Sequence, residues 1–415
     1  MQFVHIFAAA NFNYQKFCLN LHAAKQHTDM EDIKIYAVKT KEDLERFIQF
    51  RYDLYKGCPY DAPCLYLDEK NTFSKNNAAF EFSEAQYFLA LRDGEVVGRV
   101  AAIINRRANE KWNRKAVRFG WFDFIDDINV SKALLDAAEQ WGREKGMEEI
   151  IGPLGFTDMD PEGMLYKGFD QLGTMATGYN YDYYPRHMEQ MEGWEKDNDY
   201  VEYKLYVPDK VPEKLQKISD MISKRYHLGL HHVTRWEIFT TDIGEQVFDV
   251  INKTFGHLYG YSELSEKQKK QYVKMYFPFL HPSFLALVED QTDPKNPKIV
   301  GVGITLPSLS KALQKCKNGR LLPFGWWHIV KALFFFKTDV VDLLLIGILP
   351  EYRAKGANAL LFSHLIPTYQ KHHFKWGETH VEMETNDKVQ SQWAYFDNEQ
   401  HKRRRCYKKS IVQNS

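Results

Sequence analysis

Apolar and polar residues alternate through Ile33–Val38, the two-residue period of a strand with one buried face. Thr40 then precedes a segment whose first turn is acidic, which predicts a capped helix over 41–54 and a domain start at Met30. An irregular stretch bearing Pro59, Pro63, Asn71, Asn76 and Asn77 follows, and order returns at Tyr87–Leu91. Asp93-Gly94 marks a hairpin turn, with Val96–Asn105 as the returning strand. Val117–Phe124 is apolar enough for a central strand. Apolar positions 130, 133, 134, 137, 138 and 141 keep a helical period up to Gly146, which is placed to end it. Ile150–Pro153 reads as a strand, Gly155–Gly178 as a long polar loop with Asp158, Asp160, Glu162 and Asp170, and Tyr179–Met191 as a turn into a short helix. Tyr200–Val207 is a closing strand.

Pro208 and Pro212 bracket a polar linker, and the order of elements then recurs. Residues 215–226 are amphipathic, 230–239 include strand-like residues, 243–255 form a helix, and 284–288 and 299–306 form strands. The apolar run Leu343–Leu349 has the length and branching of a buried strand that Pro350 ends, and apolar positions 359, 360, 361, 362 and 365 follow at helical spacing. Two copies of one α/β fold with a mixed, α+β type of sheet are predicted, over 30–207 and 208–409, with 1–29 as an extension and 410–415 as a tail.

Between that strand and helix lie Arg353, Lys355 and Gly356. Free N–H groups, the positive end of a helix dipole and a glycine that permits close approach make an anion site suited to a pyrophosphate. The stretch Leu349-Pro350-Glu351-Tyr352-Arg353-Ala354-Lys355-Gly356-Ala357 resembles the acetyl-CoA motif of the GCN5-related N-acetyltransferases (GNATs), V-x-P-x-x-R-x-x-G-x-G/A, with Asn358 where the last Gly or Ala stands. The corresponding place in the first copy, Ile125–Asn129, has two acids and no Arg-x-x-Gly, and its carboxylates would repel phosphates. Asn180 with Gly193-Trp194, and Asn386 with Trp393 and Phe396, match the Asn and aromatic near the family's last helix.

The resemblance implies an acyl-CoA-dependent N-acyltransferase with acetyl-CoA or another acyl-CoA as cosubstrate and a small-molecule or peptide amine as acceptor. It implies a cofactor set of Gly347, Ile348, Leu349, Arg353, Ala354, Lys355, Gly356, Ala357, Asn358 and Asn386. Glu384 and Glu382 are the candidate bases, Tyr395 is the candidate acid for the leaving thiolate, and backbone N–H groups near Gly347 and Ile348 are placed to meet the oxyanion. Two other readings stay open: a non-catalytic binding protein that keeps the fold, and a long-chain acyl or aminoacyl transferase.

The second copy carries an insertion, Pro307–Lys337, with the apolar run Leu321–Phe336. That run falls short of the roughly 20 residues needed to cross a bilayer and contains His328 and Lys331. It reads as an interfacial helix making a peripheral membrane contact, as a wall for a long acyl chain, or as a helix docked on the sheet with its aromatic side buried.

Composition narrows the partners. Lys plus Arg and Asp plus Glu balance at 55 each, so no overall field favours nucleic acid, and the cluster His401–Lys409 is expected to be solvated charge or a phosphate-side contact. Cys18, Cys58, Cys64, Cys316 and Cys406 are odd in number and form no C-x-x-C pair, which indicates neither a metal site nor a disulfide framework and fits a reducing cytoplasm.

Overall fold

The structure is a computed structural model and describes residues 33–412. The expected extension over 1–29 lies outside the described residues, as do positions 413–415 of the tail.

Strands β1 (Lys34–Ala37), β2 (Ser83–Arg92), β3 (Glu95–Asn105) and β4 (Ala116–Phe124) pair antiparallel in turn, and β5 (Glu149–Gly152) lies parallel to β4. β6 (Met164–Lys167) and β7 (Glu195–Tyr206) follow. The second half repeats the arrangement: β8 (Leu228–His231), β9 (Leu285–Asp290), β10 (Lys298–Pro307) and β11 (Val340–Ile348) are antiparallel, and β12 (Trp376–Thr379) is parallel to β11. β13 (Glu382–Met383) and β14 (Asn398–Ser410) end the chain's ordered elements. Helices Ile128–Glu144 and Asn358–Lys371 supply the crossovers that the two parallel pairs require.

All these strands share one sheet, in the order β1-β2-β3-β4-β5-β14-β7-β12-β11-β10-β9-β8, with β6 on β14 and β13 on β7. The long strands β7 and β14 join the halves. β14 runs antiparallel between β5 and β7, and β7 runs antiparallel between β14 and β12. The chain's last strand is therefore bonded to a strand of the first half, and the first half's last strand to one of the second.

Several expectations change. The basic run His401–Lys409 is the interior of β14, and its cations are paired with carboxylates of the protein rather than left to solvent. Lys402 and Arg404 are buried, Lys402 on Glu378 and Arg404 Nε 2.6 Å from Glu202, while Arg403 and Arg405 each lie 2.8 Å from Asp199. A cation buried in the centre of a sheet needs a carboxylate beside it, as Lys402 and Arg404 have. The strand-like segment 230–239 divides into β8 and a helix, Arg235–Thr240, because Thr234 and Glu237 form a reciprocal capping box. The irregular stretch after the first helix holds a helix, Tyr66–Thr72. The inserted helix Gly325–Phe335 does dock on the sheet, but it buries Gly325, Ile329, Ala332 and Leu333, and its tryptophans face outward.

Candidate functional site

β10 accompanies β11 from Val341 to Ile348, whereas β12 pairs with it only from Val340 to Leu343. The His380 N–H bonds the Leu343 carbonyl, and there the two strands part. Past that point, among the described residues, β11 has no strand on its β12 side. Alternate residues of an antiparallel strand turn both N–H and C=O away from the partner, so the open edge over Leu344–Ile348, apart from the Ile348 carbonyl that Arg353 occupies, offers a ladder to an extended ligand. A bulge at Leu344, between the pairs Ile304↔Leu345 and Thr305↔Leu343, bends β11 at the same place. Leu344, Leu345 and Ile346 are only half-buried although the strand lies inside the sheet.

The motif turn follows. Arg353 Nε donates to the Ile348 carbonyl at 2.9 Å and Nη2 to the Thr254 carbonyl at 3.0 Å, so Arg353 braces the end of β11 instead of standing free for an anion. Lys355 lies over the rings of Tyr352 and Tyr226, at 4.2 and 5.4 Å. Gly356 takes a φ of +83°, and a Cβ there would meet Ile222 of the Glu213–Tyr226 helix at 3.2 Å, so the turn needs glycine both for its conformation and for its packing. The N–H groups of Lys355, Gly356, Ala359 and Leu360 bond carbonyls of the turn, whereas those of Ala357 and Asn358 make none of these bonds. Asn358 opens the Asn358–Lys371 helix, where the dipole is positive. Ala354 is exposed and Ala357 buried; the Leu349 N–H reaches back to Val300.

Thr254 was not legible as a site residue. Its hydroxyl is buried and has no hydrogen-bond partner among the described residues. A Cβ built on Gly347 would stand 3.2 Å from that oxygen, so Gly347 lets the Thr254 side chain pack directly on β11. A buried hydroxyl without a partner leaves a donor and an acceptor unused next to this strand. His257 lies nearby, held below its usual pKa by burial and then by the charges of Arg353 and Lys388.

The three candidate acid-base residues differ in surroundings. Glu384 is held in ion pairs with Lys196 and with Arg403, the latter at 2.6 Å, and the Lys196 bond comes first in keeping its carboxyl below the usual range. Glu382, on β13, is pushed up to about 7 by burial, while the Trp393 indole N–H donates to both of its oxygens at 3.0 Å. Tyr395 ends the turn Ser391–Tyr395, half-buried, with Lys214 5.5 Å from its ring centroid.

In the first half β4 and β5 also part, pairing only over Ala116–Arg118. There Tyr183 and Tyr184 bond the end of β4, while Trp121, Phe122, Asp123, Pro153, Asn180 and Arg404 line a pocket beside the parted strands. The Tyr183 hydroxyl donates to the Phe124 carbonyl at 2.6 Å, the Phe124 N–H donates to the Tyr184 hydroxyl at 3.3 Å, and Asp123 accepts from Arg99, Tyr55 and Tyr184. Asp127 caps the following helix and pairs with Arg92, and Asp126 lies 3.1 Å from His187. Asn180, matched in sequence to a helix start, instead clamps β6 through Leu165 N and O.

Among solved structures, a tandem GNAT protein from the clavulanic acid biosynthesis pathway superposes with a TM-score of 0.53, covering 92% of this chain and 100% of that one at 12% identity. The GNAT is also the fold here, twice in tandem. A glucosamine N-acetyltransferase region of a fungal multi-domain β-N-acetylglucosaminidase superposes at 0.54, covering 92% of this chain and 39% of that one, also at 12% identity. At such identity the likeness concerns the GNAT fold alone. No family profile matches the sequence. Two curated proteins are similar along most of its length: Protein YghO of Escherichia coli (strain K12), 26% identical over 376 residues that span 89% of this chain and 94% of that one, and the Bacterial ceramide synthase of Caulobacter vibrioides, 25% identical over 333 residues that span 80% and 84%.

Proposed function

We propose that the second half binds an acyl-CoA along β11 and transfers its acyl group to the amine of an acceptor. The observation that carries this reading is the unpaired edge Leu344–Ile348 with the orphaned Thr254 hydroxyl beside it. The pantetheine amides would bond that edge, and the pyrophosphate would lie at the start of the Asn358–Lys371 helix, near Ala357, Asn358 and Lys355. Glu382, pushed up to about 7, is the better base: it can take a proton from the acceptor's ammonium so that the neutral amine attacks, whereas Glu384 is held as an anion by two cations. The amine nitrogen then bonds the thioester carbon, the carbon–sulfur bond breaks, and the CoA thiolate takes a proton from Tyr395, the candidate donor, which regains one as the nitrogen sheds its excess proton to become the amide.

The half-exposed leucines of β11 and the similarity to a ceramide synthase favour a long acyl chain and a long-chain amino alcohol as acceptor, since a ceramide is such an amine N-acylated. Each methylene withdrawn from water would add about 0.8 kcal/mol. The test is to titrate the full chain with acetyl-CoA and palmitoyl-CoA and then, with sphinganine present, to assay N-acyl product by mass spectrometry. One CoA per chain, tighter binding of palmitoyl-CoA and an N-palmitoyl product are expected. Two CoA per chain would give the first half a site of its own. Binding without transfer to any amine would leave the non-catalytic reading.

A further inference from the structure

The Gly325–Phe335 helix turns a row of side chains away from the core. Trp327, Lys331 and Phe335, spaced by four, all face outward, Trp326 stands beside them, and Leu322 and Phe324 just before the helix are 78% and 75% exposed. The Arg235–Thr240 helix adjoins it, with the Arg235 guanidinium 5.5 Å from the Phe334 ring centroid. From that second helix Trp236 and Phe239 project, 75% and 59% exposed. Large apolar side chains concentrated on two adjoining helices exceed the scattered exposure that any protein surface carries.

Charge around this face is one-sided. Between Pro307 and Lys337 the sequence has Lys311, Lys315, Lys317, Arg320, Lys331 and Lys337 and no Asp or Glu. All six are exposed, and among the described residues only Lys311 meets a carboxylate, Asp339, at 3.5 Å. On the adjoining helix the acid, Glu237, is taken up by His231 and by its own cap residue Thr234. The protein as a whole is neutral, so the asymmetry is a local property.

We propose that this face docks on an anionic lipid bilayer. The Gly325–Phe335 helix lies in the headgroup plane, its tryptophans and phenylalanines at the acyl boundary and its lysines on lipid phosphates. With 11 residues it rests on the membrane and does not cross it. A second copy of the chain is the poorer occupant, because a two-fold contact would set the same cations against one another. The proposal stands on the surface alone and does not depend on which acyl group is transferred.

The test is co-sedimentation of the full chain with vesicles of phosphatidylcholine, and of phosphatidylcholine mixed with phosphatidylglycerol, over a range of salt. Binding to the mixed vesicles that weakens with salt is expected. Trp236→Ser with Phe335→Ser should abolish it, and Lys331→Glu with Lys337→Glu should weaken it by roughly fivefold or more per residue. All four positions are exposed, so melting temperatures should stay level. No sedimentation of the wild type at low salt would overturn the proposal. So would equal binding to both vesicles with the charge-reversal variant unaffected, or a dimer that the serine variant dissociates in a protein that binds no vesicle.

Discussion

The indole N–H of Trp393 stands 3.0 Å from each carboxylate oxygen of Glu382. Burial raises this carboxyl to about 7, and the Trp393 bond holds it lower than burial alone would. A general base works ionised, so kcat/KM should rise through a limb near pH 7 and level above it. Glu382→Gln should lose the limb and about 10²- to 10⁴-fold in rate. Trp393→Phe, which removes the donor that favours the ionised form, should move the limb to higher pH. Glu384→Gln should leave it in place, because Lys196 and Arg403 keep that carboxyl ionised. A limb that survives Glu382→Gln would assign the proton transfer elsewhere.

Arg353 and Lys355 lie two positions apart in the motif and should respond differently. Arg353→Ala removes charged donors from the carbonyls of Ile348 and Thr254, bonds worth about 1.5–3 kcal/mol each. It should lower the melting temperature of the free protein and loosen CoA binding with it. Lys355 touches only aromatic rings there, and Lys355→Glu should weaken CoA binding by tenfold or more at low salt with little change in melting temperature. Calorimetric titration beside thermal unfolding separates the two, and a matching loss of stability in both would refute the division of roles.

Asp342 and Glu378 are register partners on β11 and β12, both buried, and Lys402 is bonded to Glu378 alone of the two. Burial, and then Glu378, push the Asp342 carboxyl up to about 8, and its Oδ1 has no hydrogen-bond partner among the described residues. The folded chain thus binds this proton more tightly than the unfolded chain, where an aspartate titrates near about 3.9. Stability from this group is full below the unfolded value and is lost as pH rises towards about 8. Urea unfolding at pH 9 should find Asp342→Asn more stable than the wild type by on the order of a few kcal/mol, with the difference shrinking as pH falls. An equal effect of the substitution at pH 6 and pH 9 would show that Asp342 is ionised throughout.

Features set within a few residues of one another were legible in the sequence. The helix Lys41–Leu54 starts at Thr40 through a box with Asp43, the hairpin turns at Asp93 and Gly94, both at positive φ, and Gly146 follows the Ile128–Glu144 helix at a φ of +77°. The strand, motif turn and helix from Val340 to Lys371 were legible for the same reason, since spacing, capping and a single proline act locally. The capping box at Thr234 and Glu237 is equally local and was there to be read. What tertiary structure decided is which distant groups meet. Arg404 finds Glu202 across 202 positions, so the basic run becomes a central strand, and Tyr183 reaches the Phe124 carbonyl from 59 positions beyond it. The second half's opening exists because β12 parts from β11 after Leu343, and Arg353 ties that strand's end to Thr254, 99 positions earlier. Periodicity reports whether a face is apolar or polar. It does not report which strand, cation or hydroxyl comes to lie against that face, because long-range pairing is chosen by the burial and charge neutralisation of the whole sheet.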